Sequence, residues 1–170
     1  MSTNVVSSND AAANAGVETV EMRLEVVVIP VSDVDRAKEF YQRIGWRLNI
    51  DRTVGEDYRL VQFTPPGSPC SIHFGKGVTS APPGSAKSFL IVTDIEAARN
   101  HLVAAGADVG EFFYAGPEGR GSGLHPTRLP YRSRALFSDP DGNSWQMQEV
   151  SVRDPRRDNA ATTSFNFASK

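Results

Sequence analysis

Hydrophobic and polar positions follow the same order in two stretches of the chain that align without a gap. Residues 31–46 read VSDVDRAKEFYQRIGW, and residues 92–107 read VTDIEAARNHLVAAGA. Both stretches share an opening valine, an aspartate two residues later and a glycine near the end. An internal repeat of this kind predicts two copies of one structural unit.

Each copy is predicted to contain a strand followed by a helix. A short hydrophobic run rich in β-branched residues opens each copy, and such runs favour buried strands. A hydroxyl residue then precedes an acid by three positions, at Ser32 and at Thr93, as in the capping box that begins a helix. Apolar residues follow at helical spacing, and Gly45 and Gly106 stand where a left-handed residue ends a helix.

Short runs of alternating apolar and polar residues follow each helix and predict further strands. Together with the opening runs, the predicted strands are 24–31, 46–50, 58–64, 70–74, 89–92, 109–114, 134–138 and 144–150. Turn-forming clusters rich in proline and glycine precede the last strand of each copy. The unit reads β-α-β-β-β twice, which predicts an α+β fold of two tandem modules.

Composition fits one globular domain with short polar ends. The chain has 170 residues, is 39% hydrophobic and carries a net charge of −2. We expect residues 1–21 to form a disordered extension, residues 22–80 and 85–150 to form modules one and two of a single domain, and residues 151–170 to form a flexible tail.

Charge, cysteine content and hydropathy argue against several classes of partner. A near-neutral chain lacks the basic surface that nucleic acids require, and no hydrophobic run is long enough to span a bilayer. The start of the chain lacks the charge and apolar stretch of a secretory signal, and the single cysteine, Cys70, allows no intrachain disulfide. We therefore expect a cytoplasmic protein without nucleic-acid or membrane partners.

Candidate binding residues lie on the polar face of the last strand of each module. One set of alternate residues in these strands is apolar and must pack on a helix, so the other set points away from the helix. The residues that point away are His73 in module one and Gln146 and Gln148 in module two. They would line a cup that binds a small polar molecule; the alternative is that they face open solvent.

Several motifs resemble the vicinal oxygen chelate superfamily, which includes glyoxalase I, bleomycin-resistance proteins and extradiol dioxygenases. They are the paired V-x-D-(V/I)-(D/E)-x-A helix starts, the Phe40-Tyr41 pair, the helix-ending glycines and the sequence FSDPDGN at 137–143. The resemblance covers about residues 22–150. It implies two βαβββ modules that form a half-open, barrel-like cup around one ligand cavity, often within a homodimer.

Metal-dependent members of this superfamily hold a divalent ion with side chains from the first and last strands of each module. The matching first-strand positions are Val26 and Lys87, and the matching last-strand positions are His73 and Gln146. A valine offers no donor atom, and a protonated lysine does not bind a cation. The resemblance is therefore to the metal-free branch, and we expect neither a metal ion nor another cofactor.

Residues 112–132 lengthen module two by about a dozen residues relative to module one. The segment contains His125, Arg128 and Tyr131 among four glycines and three prolines. Such a segment is typical of a lid or binding loop, in which Arg128 would bind a carboxylate or phosphate and Tyr131 would stack or form a hydrogen bond. The alternative is a surface excursion without a role in binding.

Three functional hypotheses follow. The first is metal-independent binding of a small organic molecule, neutral or anionic because His73, Lys87 and glutamines line the cup. The second is a glyoxalase-like lyase or isomerase in the same cup, with His73 as acid or base or with an atypical metal site. The third is a structural or partner-binding module with a degenerate cavity. The sequence names neither the ligand nor a reaction.

Overall fold

The computed structural model describes residues 20–117 and 119–150, so the predicted extension and tail lie outside the described residues apart from residues 20 and 21. None of the helices in this part of the chain is long and apolar enough to cross a membrane. In chain order the elements are β1 (Val26–Val28), α1 (Val34–Arg43), β2 (Arg47–Val54), β3 (Tyr58–Thr64), β4 (Ser71–Phe74), β5 (Lys87–Val92), α2 (Ile95–Ala104), β6 (Phe113–Gly116), β7 (Gly119–Ser122), β8 (Ser133–Ser138) and β9 (Ser144–Glu149).

The strands form two mixed sheets. The first sheet has the order β1-β4-β3-β2, and the second has the order β5-β9-β8-β6-β7. In each sheet the opening strand lies at one edge, parallel to the last strand of the same module, and all other neighbours are antiparallel. The predicted α+β class is confirmed, and the described strands form no closed barrel.

Each helix is capped by an aspartate and not by the predicted hydroxyl residue. The carboxylates of Asp33 and Asp94 accept hydrogen bonds from backbone N–H groups in the first turn of α1 and α2. A carboxylate suits this place because its charge also complements the positive end of the helix dipole. The hydroxyl of Ser32 donates instead to Asp141. Both helix-ending glycines have positive φ, as predicted.

Residues 112–132 are only in part the loop that the sequence predicts, because residues 113–116 and 119–122 form a hairpin and residues 123–132 form the loop. Strands β6 and β7 pair as an antiparallel hairpin at the edge of the second sheet, and Val109 makes only an isolated bridge outside them. The ring of Tyr114 lies against Gly121, where an added Cβ would fall 2.1 Å from a ring carbon. The glycine-rich strand β7 is therefore held by backbone pairing and by an aromatic neighbour, because its own side chains have little strand propensity.

One hydrophobic core joins the two modules through the helix-covered sides of both sheets. The ring of Tyr41 on α1 lies 5.6 Å from that of Phe74 in the first sheet and 6.3 Å from that of Trp145 in the second. Trp46 and Trp145 meet edge to face, with ring centroids 5.0 Å apart. Because the sheets approach each other through their helix-covered sides, their other sides, here called the open faces, point away from each other.

Candidate ligand-binding site

His73 lies on the open face of the first sheet. It pairs with Val28 on β1 and with Gln62 on β3, so the three side chains share one face. Nε2 of His73 is 2.9 Å from Oε1 of Gln62, a distance at which the ring N–H donates to the amide oxygen. Burial lowers the pKa of the imidazole below its usual 6.5. At neutral pH His73 is therefore an uncharged, hydrogen-bonded part of this face.

The pH dependence of stability tests this burial of His73. As the pH falls below about 6.5, the unfolded chain takes up a proton at this histidine before the folded chain does. The free energy of unfolding is therefore expected to decrease as the pH falls from 7.5 to 5.5. In urea titrations, His73→Gln should remove part of that decrease, whereas the matched variant His125→Gln should keep it. Equal curves for both variants would contradict the prediction.

Gln146 holds the place in the second sheet that His73 holds in the first. It pairs with Phe89 on β5 and with Leu136 on β8. In the first sheet the counterpart of Leu136 is Gln62, which pairs with His73. Because the β8 neighbour is apolar, Nε2 of Gln146 is buried without a hydrogen-bond partner among the described residues. A buried donor without a partner costs about 1–3 kcal/mol. An oxygen of a bound molecule would remove that cost.

Two more of the predicted ligand-binding residues lie on this open face with Gln146. Lys87 pairs with Ser144, and Gln148 pairs with Arg134 on β8. Arg134, on the strand before the last one of module two, was not among the residues predicted from the sequence. The sequence nevertheless indicates the face on which Arg134 lies, because Arg134 alternates with the buried residues of β8 in the period-two pattern that also located His73.

A pocket of about 400 Å³ opens on the same face. The guanidinium carbon of Arg120 lies 3.7 Å from the centroid of the Phe113 ring in this pocket. Aromatic and cationic walls in a cavity of this size suit one small organic molecule. The lining residues are Gly110, Glu111, Phe112, Phe113, Arg120, Gly121, Ser122 and Leu136.

The positions that hold a metal ion in related enzymes do not form a metal site in this chain. Val26 has no donor atom, Lys87 carries an ammonium group, Gln146 offers only a neutral amide, and the ring of His73 is bound to Gln62. Among residues 20–117 and 119–150, no three His, Cys, Asp or Glu side chains are grouped so that they could hold a metal ion. The side chains at these positions therefore do not fit the divalent metal ion of the superfamily's enzymes.

Arg128 is held on the helix-covered side of the second sheet. Its guanidinium donates to both carboxylate oxygens of Glu149, at 2.8 and 2.5 Å, and to Glu96 at 3.0 Å. These hydrogen bonds raise the pKa of Arg128. Glu149 is buried and also accepts from the N–H of Ile95 at the start of α2. Arg128 therefore attaches its loop to α2 and β9, and the structure does not bring it to the open face.

His125 and Tyr131 also belong to this loop. The ring of His125 meets that of Tyr114 edge to face at 5.4 Å, and Tyr114 pairs with the buried Ser133 of β8. His125 therefore lies apart from Lys87, the two glutamines and His73. The backbone N–H of Tyr131, which has a φ of 65°, donates to the carbonyl oxygen of Glu149 at 2.7 Å.

The DPDGN turn connects module two to module one. The buried carboxylate of Asp139 accepts from the hydroxyl of Tyr41 at 2.9 Å and from the side-chain amide of Asn143 at 2.8 Å. It also accepts from the backbone N–H groups of Asp141 and Asn143. Asn143 in turn donates to the carbonyl oxygen of Pro30 at 2.8 Å. The most specific motif of the sequence thus stabilises the packing of the two modules and lies away from the open faces.

The fold and these positions agree with a comparison of the sequence against known families. The sequence model of the Glyoxalase/Bleomycin resistance protein/Dioxygenase superfamily matches residues 23–147. The chain belongs to this superfamily. A comparison with curated protein sequences gives no match.

Three solved structures illustrate the similarity. TnmS3, an antibiotic binding protein from Streptomyces sp. CB03234, is 28% identical, with 79% of this chain and 100% of that chain covered and a TM-score of 0.60. A glyoxalase/bleomycin resistance protein from the same strain is 29% identical, with 75% and 100% covered and a TM-score of 0.56. A superfamily member from Sphaerobacter thermophilus DSM 20745 is 25% identical, with 76% and 98% covered and a TM-score of 0.59.

Proposed function

We propose that this protein binds a small organic molecule, neutral or anionic, on the open face of its second sheet and without a metal ion. The observation that carries the proposal is the buried Nε2 of Gln146, which lacks a partner among the described residues beside a pocket of about 400 Å³. Similarity to an antibiotic binding protein supports a small molecule as the ligand. Val26 and Lys87 at the first-strand positions support metal independence.

We further infer that two chains complete the cup. Strands β1 and β5 both lie at sheet edges, and Val28, Phe89 and Ile91 on them are 43%, 65% and 49% exposed. Edge strands with exposed apolar side chains favour pairing with another chain. Because the open faces of one chain point away from each other, a two-walled cup would take the first sheet of one protomer and the second sheet of its partner. The single Cys70 supports a cytoplasmic location for this homodimer.

A thermal-shift screen of small organic molecules tests the proposed function. A ligand at about one hundred times its Kd should raise Tm by roughly 5–10 °C, with or without EDTA. The variant Gln146→Leu keeps the volume of the side chain but removes the amide, so it should weaken binding about tenfold. A screen without any stabilising compound, or stabilisation that EDTA abolishes, would contradict the proposal.

The enzymatic alternative, a lyase or isomerase with His73 as acid or base, differs in one observable. Under the binding function, His73→Ala changes the affinity for the ligand and there is no turnover to lose. Under the alternative, the same variant abolishes turnover of a bound substrate. The hydrogen bond between Nε2 of His73 and Gln62 favours the binding function, because this nitrogen is already occupied by a partner within the protein.

A further inference from the structure

Arg134 is the central cation of the second sheet's open face. It lies on β8 between Phe113 of β6 and Gln148 of β9, both of which share its face. Its Nε donates to the carbonyl oxygen of Tyr131 at 3.2 Å. A guanidinium has five N–H donors, so the terminal nitrogens of this half-buried side chain keep donors for a bound molecule.

No carboxylate of the described residues forms an ion pair with Arg134. The other half-buried arginines of the described residues, Arg59, Arg99 and Arg128, all have a carboxylate within 3.3 Å. Arginines without an ion pair, such as Arg52 and Arg120, are otherwise exposed. Burial, and secondarily the charge of Arg132, lowers the pKa of Arg134. A partly desolvated cation without a counter-charge is unfavourable, and a bound anion would relieve that cost.

The charges around Arg134 have the same sign. Lys87 and Arg120 share its face, as their register positions show. Among the described residues one carboxylate lines the pocket, that of Glu111, and it lies 3.3 Å from the guanidinium of Arg99, which pairs with its charge. Counted over residues 20–117 and 119–150, this face therefore carries an excess of positive charge next to a pocket with aromatic walls.

The open face of the first sheet has no such charge at the equivalent place. Gln62 on β3 pairs with His73, as Leu136 on β8 pairs with Gln146. Two residues before each of these positions stand Leu60 in the first sheet and Arg134 in the second, so Leu60 is the counterpart of Arg134. The positions on β3 and β4 at this place are thus apolar or neutral, and Arg52 on the outer strand β2 pairs with Leu60 on the same face. A ligand between two such walls would meet a central strand without charge on the first sheet and the cation Arg134 on the central strand of the second.

We propose that Arg134 makes this site selective for anions, so that its ligand is an aromatic molecule that carries a carboxylate, sulfonate or similar oxyanion. The oxyanion pairs with Arg134, and the ring packs on Leu136 and on the guanidinium of Arg120 that covers Phe113. This inference rests on the proposed function, because it assigns a ligand class to the same site.

Two fluorescent probes with the same rings test the inference on the full chain. Anilinonaphthalene sulfonate carries an oxyanion, and N-phenylnaphthylamine lacks it. We expect the wild type to bind the sulfonate about tenfold more tightly than the neutral probe at low salt. Arg134→Gln should remove this preference and leave the affinity for the neutral probe unchanged, and Arg134→Lys should keep part of it. The control Arg23→Gln removes the same charge from a side chain that is 83% exposed, and should keep the full preference.

The outcomes separate this inference from the proposed function. Binding of both probes with equal affinity, or an equal loss of preference in Arg134→Gln and Arg23→Gln, would overturn the anion selectivity and leave small-molecule binding in place. Absence of binding of either probe to the folded wild type would count against both. A melting curve of each variant checks that Arg134→Gln is folded, and Arg134→Lys provides the comparison if it is not.

Discussion

Replacing Asp139 with alanine is expected to lower the free energy of unfolding by about 4 kcal/mol. The buried carboxylate accepts four hydrogen bonds. The donors are the hydroxyl of Tyr41, the backbone N–H of Asp141, and both the backbone N–H and the side-chain amide of Asn143. In the alanine variant these donors lose their acceptor inside the core. Each buried donor without a partner costs about 1–3 kcal/mol, and water that enters the space recovers part of the sum.

Urea titration and thermal melting measure the effect, which corresponds to a fall in Tm of roughly 10 °C. Asp57→Ala is the matched control, because that carboxylate is fully exposed, and its unfolding midpoint should not change. Tyr41→Phe removes only one of the four donors and should cost about 1–2 kcal/mol. If Asp139→Ala unfolded at the same urea concentration as Asp57→Ala, the DPDGN turn would not hold the modules together.

Arg128→Ala is expected to lower the free energy of unfolding by about 2–3 kcal/mol. The side chain of Glu149 is 4% exposed, and without Arg128 its charge keeps only the backbone N–H of Ile95 as a donor among the described residues. The loss of stability is smaller than for a fully buried ion pair, because 37% of the Arg128 side chain is exposed. In the alanine variant, water can solvate part of the Glu149 carboxylate. Residue 128 has a φ of 50°, and arginine and alanine are strained alike there.

A double-mutant cycle isolates this ion pair. Glu149→Gln removes the charge but keeps the side-chain oxygen that accepts from Ile95, so it should restore about half of the stability that Arg128→Ala loses. Arg132, an exposed arginine of the same loop, provides the control. Arg132→Ala should lower the free energy of unfolding much less than Arg128→Ala. If the stability lost by the double variant equalled the sum of the losses of Arg128→Ala and Glu149→Gln, the two side chains would not be coupled.

Local patterns were sufficient to predict most of the elements of this fold. Strand β3 has the predicted bounds, 58–64, and β4 has His73 on the face away from the helix. These features are set by alternation, which burial on one side of a sheet imposes on neighbouring residues. The glycines after both helices were equally predictable, because a positive φ favours a residue without a side chain.

Contacts between distant residues could not be read from such patterns. The sequence gives Arg128 no visible partner, because Glu149 lies 21 residues away and becomes a neighbour only when the loop packs on α2. The pairing of β7 depends on the ring of Tyr114, and the sequence GRGS has no strand pattern of its own. The direction of the two open faces depends on Tyr41, which packs between sheets that are distant in sequence.

The most direct test of ligand binding at the open face is a ¹H–¹⁵N NMR titration with the most stabilising compound from the thermal-shift screen. The side-chain amide of Gln146 is predicted to shift strongly, because its Nε2 gains a hydrogen-bond partner. The indole N–H of Trp145, the adjacent residue on the helix-covered side, donates to Tyr41 in the core and should not move. A large shift of the Trp145 indole with an unchanged Gln146 amide would place the ligand elsewhere and contradict the account.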